Sequence, residues 1–487
     1  MAYIIHNSPL KFFLFLLIVL LLGCGNQDNE VKIQPDLTPK RIILIGIDTL
    51  RADHLSCYGY PINTSPAIDT FAQGATLFEQ SISQSSWTLP SFASIFTGVY
   101  SFEHKAGIEC GQRVKAEGDN APVTILDTTY PTLAELLRTR GYKTAAFTEG
   151  GYMSPGFGLA RGFDLFEICS VPRNKSNKDR AQHILNKDVK KVVDASLNWI
   201  KSNRRNNFFL FMHTYEPHTP LRDPLKVLPQ VKKEYVQNKF FEVLRGYLQE
   251  NISSESTRAA LEKYTFDDVY AWICNERMLY DCEILYTDHH MGRFFKELKE
   301  MGLYDDSLII FTSDHGAEFC EHGGMYHAKT LFQESIFVPM IVKKPNQKKG
   351  VRIASPLAEG IDIMPTVLEA CKINSNTPKI SGTNLFVKKN TAIARSHLFK
   401  NRKTLAAGIQ DTIKIIYNYK NPEDTLLFQL DRDPFEKESI YSKDAAAVIP
   451  ELIAPLSMPK VDEALCLDAK DNTVDVRNQL KSLGYIQ

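Results

Sequence analysis

The 487-residue sequence predicts an α/β fold: a large, mostly parallel sheet sandwiched by helices, with a small C-terminal antiparallel α+β subdomain. Three observations predict it. Short, continuous apolar runs recur, several of them ending in an acid or a histidine. Stretches with apolar residues at helical spacing lie between these runs. Past about residue 374 the texture shifts to short strand-like segments. Continuous apolar runs suit strands buried on both faces, and helices supply the crossovers that parallel strands need.

The first run, "RIILIGID" (residues 41–48), reads as a buried parallel strand. In "SSWTLPSFASIFTG" (85–98) a loop enters a helix, with Pro90 in its first turn and Gly98 at its end. "TYPTLAELLRTRGYKTAAF" places Leu133, Leu136 and Leu137 on one helix face, stops at Gly141 and continues as a strand. Val189, Val192, Val193, Leu197 and Ile200 have helical spacing, and "NNFFLFMHTYEPH" follows as a strand. "MGRFFKELKEMGLYDDSLIIFTSDHG" repeats the order of helix, glycine and strand. A charged, helical insertion is expected at 225–276, within a catalytic domain spanning 41–373. The subdomain from 374 to 487 contains "LFQLDRDPFEKESIY" as strands.

Lys and Arg number 57, as do Asp and Glu, so no global field draws the chain to nucleic acid or an anionic membrane. At 44% hydrophobic residues the chain has ample material for a core. Lys11 precedes an apolar run from Phe12 to Leu22, about eleven residues, where a bilayer span needs roughly 20. That is the length of a signal-peptide core. Leu21-Leu22-Gly23-Cys24 resembles the lipobox of bacterial lipoproteins. It implies cleavage before Cys24, a lipid on that cysteine, and a polar tether over 25–40. The other eight cysteines include no C-x-x-C pair, which argues against a zinc knuckle, and their pairing is not readable from spacing.

In sheets of this class the chemistry lies beyond the carboxyl ends of the strands. Asp48, His213, His218, Asp314 and His315 all fall at or just past predicted strand ends. Pro90 and Gly98 put Thr88 at or just before a helix N-cap, where free N–H groups and the helix dipole favour an anion. A threonine hydroxyl becomes a nucleophile only beside a base or a metal ion. Asp48, Asp314 and His315 offer carboxylate and imidazole ligands for such an ion if they converge on Thr88. Mixed oxygen and imidazole donors favour Zn²⁺ or Mn²⁺ over Ca²⁺.

Four stretches resemble the sulfatase family of the alkaline phosphatase superfamily: "LIGIDTLRADHLSCYGYPINTSPAIDTFA", "SSWTLPSFASIFTG", "FFLFMHTYEPHTP" and "IIFTSDHGAEFCEHGGMYHAKTLFQESIFVPMIV". They occur in the family's order. The resemblance implies an alkaline phosphatase-like fold and a metal-dependent hydrolase of sulfate or phosphate esters. Sulfatases carry C-x-P-S-R or S-x-P-S-R in the second stretch and oxidise its first residue to formylglycine. Here Thr88, Leu89, Pro90, Ser91 and Phe92 stand in that pattern, so no formylglycine is expected, and Phe92 replaces the supporting arginine. The set Asp48, Thr88, Asp314 and His315 resembles the one-metal site of the superfamily's phosphoethanolamine transferases and lipoteichoic acid synthases, which implies that these four hold one divalent ion. Sulfatases have two adjacent acids after the first strand, where this chain has Asp48-Thr49.

The resemblance also implies that His218 and Lys329 contact the substrate oxyanion. His322 and His327 are candidates for the leaving-group acid or for a contact behind the groups that touch the substrate, and His213 is read as holding its loop. "TEGGYMSPG" stands where many sulfatases have a lysine–histidine pair. The expected substrate is a sulfated or phosphorylated small molecule, glycan or lipid met at the bacterial envelope. Two other functions fit the same residues: phosphoryl transfer to an envelope glycan or lipid, and an inactive glycan-binding lipoprotein.

Overall fold

The computed structural model describes residues 38–110, 122–169, 187–219, 221, 266–373, 380–387, 393–400, 403–442, 452–453 and 463–467. The expected signal peptide, the expected tether up to residue 37 and most of the expected insertion lie outside them.

Three strands form the centre of the main sheet: β1 (Arg41–Ile47), and on either side of it the strands Phe208–Thr214 and Ser307–Ser313. The last two are buried at every position because helices cover both faces. Ile42, Leu44, Phe209, Phe211, Leu308 and Ile310 pack in one core with Phe92 and Phe96. Their neighbours Ile43, Ile45, Leu210, Met212, Ile309 and Phe311 pack in a second core with Val189, Val193 and Phe294.

In chain order the remaining strands of this sheet are β2 (Thr76–Phe78), β3 (Lys143–Thr148) and β4 (Leu165–Ile168), with Phe208–Thr214 as β5 and Ser307–Ser313 as β6, then β7 (Met340–Lys343) and β8 (Val351–Ile353). Among the described residues the order is β8-β2-β7-β6-β1-β5-β3-β4. β6, β1, β5, β3 and β4 run parallel, and β7 is antiparallel to both β6 and β2. The predicted fold class is therefore observed.

The register of the central strands positions the site. Ile47 lies opposite both Thr214 and Ser313. Side chains alternate across a sheet, so Leu44, Gly46 and Asp48 share a face with Phe211 and His213 and with Ile310, Thr312 and Asp314. On that face lies helix α1 (Thr88–Thr97), all ten residues of which are buried. Its N-cap is Trp87, so Thr88 is the first residue inside the helix rather than its cap. Gly98 ends it in the left-handed conformation, φ 69°. Gly46 allows the helix to approach: a Cβ there would lie 2.7 Å from Phe92 Cζ. The second face is covered by α2 (Val189–Asn203) and α3 (Phe266–Glu300). The end of the expected insertion, 266–276, is thus the start of a core helix.

The C-terminal subdomain is an antiparallel sheet of β9 (Ile393–Leu398), β10 (Leu405–Gln410), β11 (Ile413–Asn418) and β12 (Leu426–Gln429). Only the start of "LFQLDRDPFEKESIY" is a strand. The rest turns around Asp433, whose carboxylate accepts from the N–H groups of Lys437 and Glu438. A disulfide joins Cys110 to Cys466, 356 residues apart.

This subdomain also meets the main domain through buried charge. Lys414 pairs with Glu436 at 2.5 Å, both fully buried. His322 Nδ1 lies 2.6 Å from Glu334 Oε1, and its Nε2 lies 3.0 Å from the Glu436 carbonyl oxygen. Burial opposes a charge on His322, but the Glu334 carboxylate and then Glu436 override it and push the imidazole up to about 9. A raised pKa in the folded state gives stability that is complete below the unfolded value near 6.5 and lost as pH rises through about 9. The melting temperature is expected to fall between pH 6.5 and 9. In His322→Gln that slope flattens and stability at pH 6 is lower, measured by scanning calorimetry.

Candidate active site

Asp48 follows β1, Asp314 and His315 follow β6, His213 is the penultimate residue of β5, and Thr88 opens α1. All five are fully buried. One ligand atom each from Asp48, His213 and Asp314 lie within 4.8 Å of one another. Thr88 Oγ1 is 3.1 Å from Asp48 Oδ2 and 3.5 Å from His315 Nε2. His315 Nε2 is 3.4 Å from Asp314 Oδ2 and 3.8 Å from Asp48 Oδ1. His213 Nε2 is 3.6 Å from Asp48 Oδ2. The four residues expected from the sequence to hold the ion are brought together, and His213 joins them rather than merely holding a loop.

The donor chemistry fits a divalent cation. Asp48 Oδ1, Asp314 Oδ2 and both ring nitrogens of His213 are buried without hydrogen-bond partners. His315 Nδ1 lies 2.8 Å from the Gly316 carbonyl oxygen. A carbonyl only accepts, so Nδ1 carries the proton and the Nε2 lone pair faces the two carboxylates. Burial, and then the charge of Asp314, hold the Asp48 carboxyl well above its ordinary range. Burial pushes His213 down to about 4. Lone pairs and carboxylate oxygens pointed at one another are mutually unfavourable unless a cation lies among them.

Thr88 is the first residue of α1, so the positive end of the helix dipole lies at this cluster. The single Ser91 hydroxyl proton is shared between the Trp87 carbonyl at 2.9 Å and the Ser85 carbonyl at 3.0 Å, which shapes the turn before the helix. Phe92, in the arginine position of the motif, packs edge-on to His213 at 5.1 Å between ring centres. An apolar ring thus lies beside the cluster in place of a guanidinium.

His218 and His327 border the cluster. Their Nε2 atoms are 3.1 Å apart, and the His327 ring stacks on His315 at 4.7 Å. Burial lowers the pKa of both rings well below the ordinary value. Buried Lys187, paired with Glu283 at 2.9 Å, donates to the His218 carbonyl and fixes that turn. Lys329 is exposed. His322 is not part of this group: its ring nitrogens face Glu334 and Glu436, and its ring stacks on Phe332 at 3.6 Å. A small cleft lined by Thr49, Pro217, Thr219, Tyr280, Ala317, Phe319, Tyr326 and His327 adjoins the histidines.

Sequence reasoning missed Lys400. It is 3% exposed, its Nζ lies 3.0 Å from Tyr152 Oη and 4.1 Å from the centre of the Trp87 ring, and its charge bears on His327. Tyr152 belongs to "TEGGYMSPG", so the C-terminal subdomain brings a cation to that stretch. No local pattern marks Lys400, since its partners lie far away in the chain.

The sulfatase family profile matches residues 40–373, and the profile of the N-sulphoglucosamine sulphohydrolase C-terminal region matches 320–458. Over 395 residues the chain is 25% identical to the multifunctional alkaline phosphatase superfamily protein PehA of Trinickia caryophylli, covering 68% of this chain and 74% of that one. Over 520 residues it is 22% identical to an N-acetylglucosamine-6-O-sulfatase of Bacteroides thetaiotaomicron, covering 90% and 88%. Its fold is similar to a phosphonate monoester hydrolase of Agrobacterium radiobacter, with TM-score 0.62, 19% identity and coverage of 85% and 94%. A protein solved with its substrate D-glucosamine-2-N,6-O-disulfate gives TM-score 0.61, 17% identity and coverage of 92% and 98%.

The purified protein is expected to carry one tightly held divalent ion per chain. Asp314→Ala and Asp48→Asn remove an anionic ligand and should strip it, and His213→Ala should weaken retention. Elemental analysis by mass spectrometry after dialysis reads all three. Full occupancy in Asp314→Ala would place the ion elsewhere.

Proposed function

Because the chain belongs to the sulfatase family of hydrolases, we propose that it is a metal-dependent ester hydrolase with Thr88 as its nucleophile. The observation that carries this reading is the placement of Thr88 Oγ1, 3.1 Å from a buried carboxylate at the mouth of a buried helix. Asp48, Asp314 and His315, with His213 beside them, would hold the ion. When bound, it supplies positive charge that favours the threonine alkoxide and offsets charge on the transferred group.

The residues of the chain supply the remaining steps. As Thr88 Oγ1 attacks phosphorus or sulfur, its proton passes to Asp48 Oδ2. Burial keeps His218 and His327 neutral in the free protein. An anionic ester beside them favours the imidazolium, which gives its proton to the leaving alcohol oxygen. The product is an ester on Thr88. Water then attacks the same centre and gives a proton to the neutral imidazole, and Thr88 Oγ1 leaves and recovers its proton from Asp48. Lys329 and Lys400 add positive charge toward an anionic substrate.

A formylglycine hydrate releases sulfate through its second hydroxyl. Thr88 has no second hydroxyl, so its ester must be cleaved by displacement at the transferred centre. Phosphoryl groups tolerate that route through positioning and charge stabilisation. The chemistry therefore favours phosphate esters, diesters or phosphonates, and the phosphonate monoester hydrolase of similar fold supports that choice. The sulfatases among the relatives support a sulfated glycan as the second substrate class.

Thr88→Ala is expected to keep the fold and lose turnover by at least about a thousandfold. Thr88→Ser should retain part of it. A panel of aryl phosphates, phosphodiesters, phosphonates and sulfates with added Mn²⁺ or Zn²⁺ is the assay. Wild-type rates in Thr88→Ala would sink the nucleophile assignment, and turnover of sulfates alone would show that threonine serves sulfuryl transfer. We further propose a lipid-anchored envelope protein that starts at Cys24. Mass spectrometry of the mature N-terminus should find a diacylated cysteine, and an unmodified Cys24 would refute it.

A further inference from the structure

Thr49 adopts φ 56°, in the left-handed region. A β-branched residue there is an outlier, kept only where its surroundings over-determine it. Two bonds do so. The Thr49 N–H donates to Asp314 Oδ1 at 3.2 Å, and the Thr49 carbonyl accepts from Tyr280 Oη at 2.6 Å. Tyr280 Oη is itself held by the Arg51 N–H at 2.9 Å. The clamp therefore ties this residue to a carboxylate of the candidate metal cluster.

The side chain carries the second observation. Thr49 is 3% exposed and lines the cleft beside His327, Pro217 and Thr219. Its Oγ1 is buried with no hydrogen-bond partner. Folding leaves a buried hydroxyl unpaired only at a cost, and a hydroxyl rotor can donate as well as accept. Glycine is the residue that this φ favours, and it would remove both the strain and the orphaned group. The combination of a strained backbone and an unpaired hydroxyl in a cleft shared with His327, whose ring stacks on His315 of the candidate cluster, points to contact with substrate.

We propose that Thr49 Oγ1 donates a hydrogen bond to a non-bridging oxygen of the anionic group of the substrate, and that the left-handed backbone at Thr49 turns the hydroxyl toward it. The inference rests on the hydrolase reading for the identity of that group. It also gives a reason for the residue type. The sulfatases have an acid at this place, and a carboxylate not bound to the metal ion would face the substrate with like charge. A threonine meets it with a donor.

Binding of inorganic phosphate and of sulfate to the metal-loaded protein, followed by calorimetry, tests the contact without turnover. Thr49→Val keeps the shape and loses the donor, and it should weaken phosphate binding by about tenfold and kcat/KM by about 10- to 100-fold. Thr49→Ser should recover both to within about threefold. Thr49→Gly should bind as weakly as Thr49→Val while melting at or above the wild-type temperature, which separates loss of contact from loss of fold. Wild-type affinity in Thr49→Val or Thr49→Gly would overturn the assignment, as would a wild-type protein that binds neither anion. Failure of the hydrolase reading looks different: the wild type would bind the anions and turn over no ester of the panel, and Thr49 would still be judged by affinity.

Discussion

Asp48 and Asp314 are two carboxylates buried side by side, and the rest of the site is arranged around that pairing. Like charges in a low-dielectric interior repel strongly, and desolvation adds to the cost. The chain offsets part of it on one oxygen: Asp314 Oδ1 accepts from the N–H groups of Thr49 and His315. The other oxygens are turned toward His213, His315 and Thr88. What prevents the pair from separating is the strand register. Ile47 is locked between Thr214 and Ser313, each strand is buried on both faces, and a one-residue slip would send these side chains to the opposite core. The central strands thus hold together two groups that would separate in water, and binding of a cation there is coupled to the stability of the fold.

How much of this was legible depends on how local the signal is. The strands were legible because burial on both faces demands continuous apolar runs, as in "RIILIGI" and "SLIIFTS". Asp48, Asp314 and His315 were legible only as a set: an aspartate at a strand end is often just a helix cap, but together with Thr88 the three resemble a known one-metal site. His213 carried the same signal in weaker form. It is within the strand, and its alternation with Phe209 and Phe211 places it on the face of α1, but that inference needs the helix to be assigned to a face first. Other features leave no local trace. His322 meets Glu436 across 114 positions, and Lys400 meets Tyr152 across 248. Thr49 departs from the family's paired acids in the sequence, but its left-handed backbone and unpaired hydroxyl are not displayed there.

The placement of Thr88 one residue inside the helix, with Trp87 as the cap, has a physical consequence. A cap residue has its side chain committed to the N–H groups of the first turn. Thr88 instead extends its hydroxyl toward Asp48 and His315. The helix terminus therefore presents a hydroxyl held by a carboxylate rather than one spent on capping the helix.

Phe92 completes this logic. The residue in the arginine position lies against Gly46, so closely that a Cβ on the strand would be 2.7 Å from the ring, and it also touches His213 and Phe211. A guanidinium in that space would be a buried cation beside an imidazole already disfavoured for charge by burial. The apolar ring instead seals the cluster from the core side and leaves His213 neutral, the form in which imidazole is a ligand. Thr88 and Phe92 lie one helical turn apart, on the side of α1 that meets the sheet. On the proposed reading, threonine in the place of an oxidisable residue and phenylalanine in the place of arginine belong together: the site holds a simple hydroxyl between a carboxylate and an imidazole instead of supporting an aldehyde hydrate. In the proposed mechanism, where that hydroxyl is the nucleophile, release of the product would depend on an attacking water, and the histidines that border the cluster would be the groups to activate it.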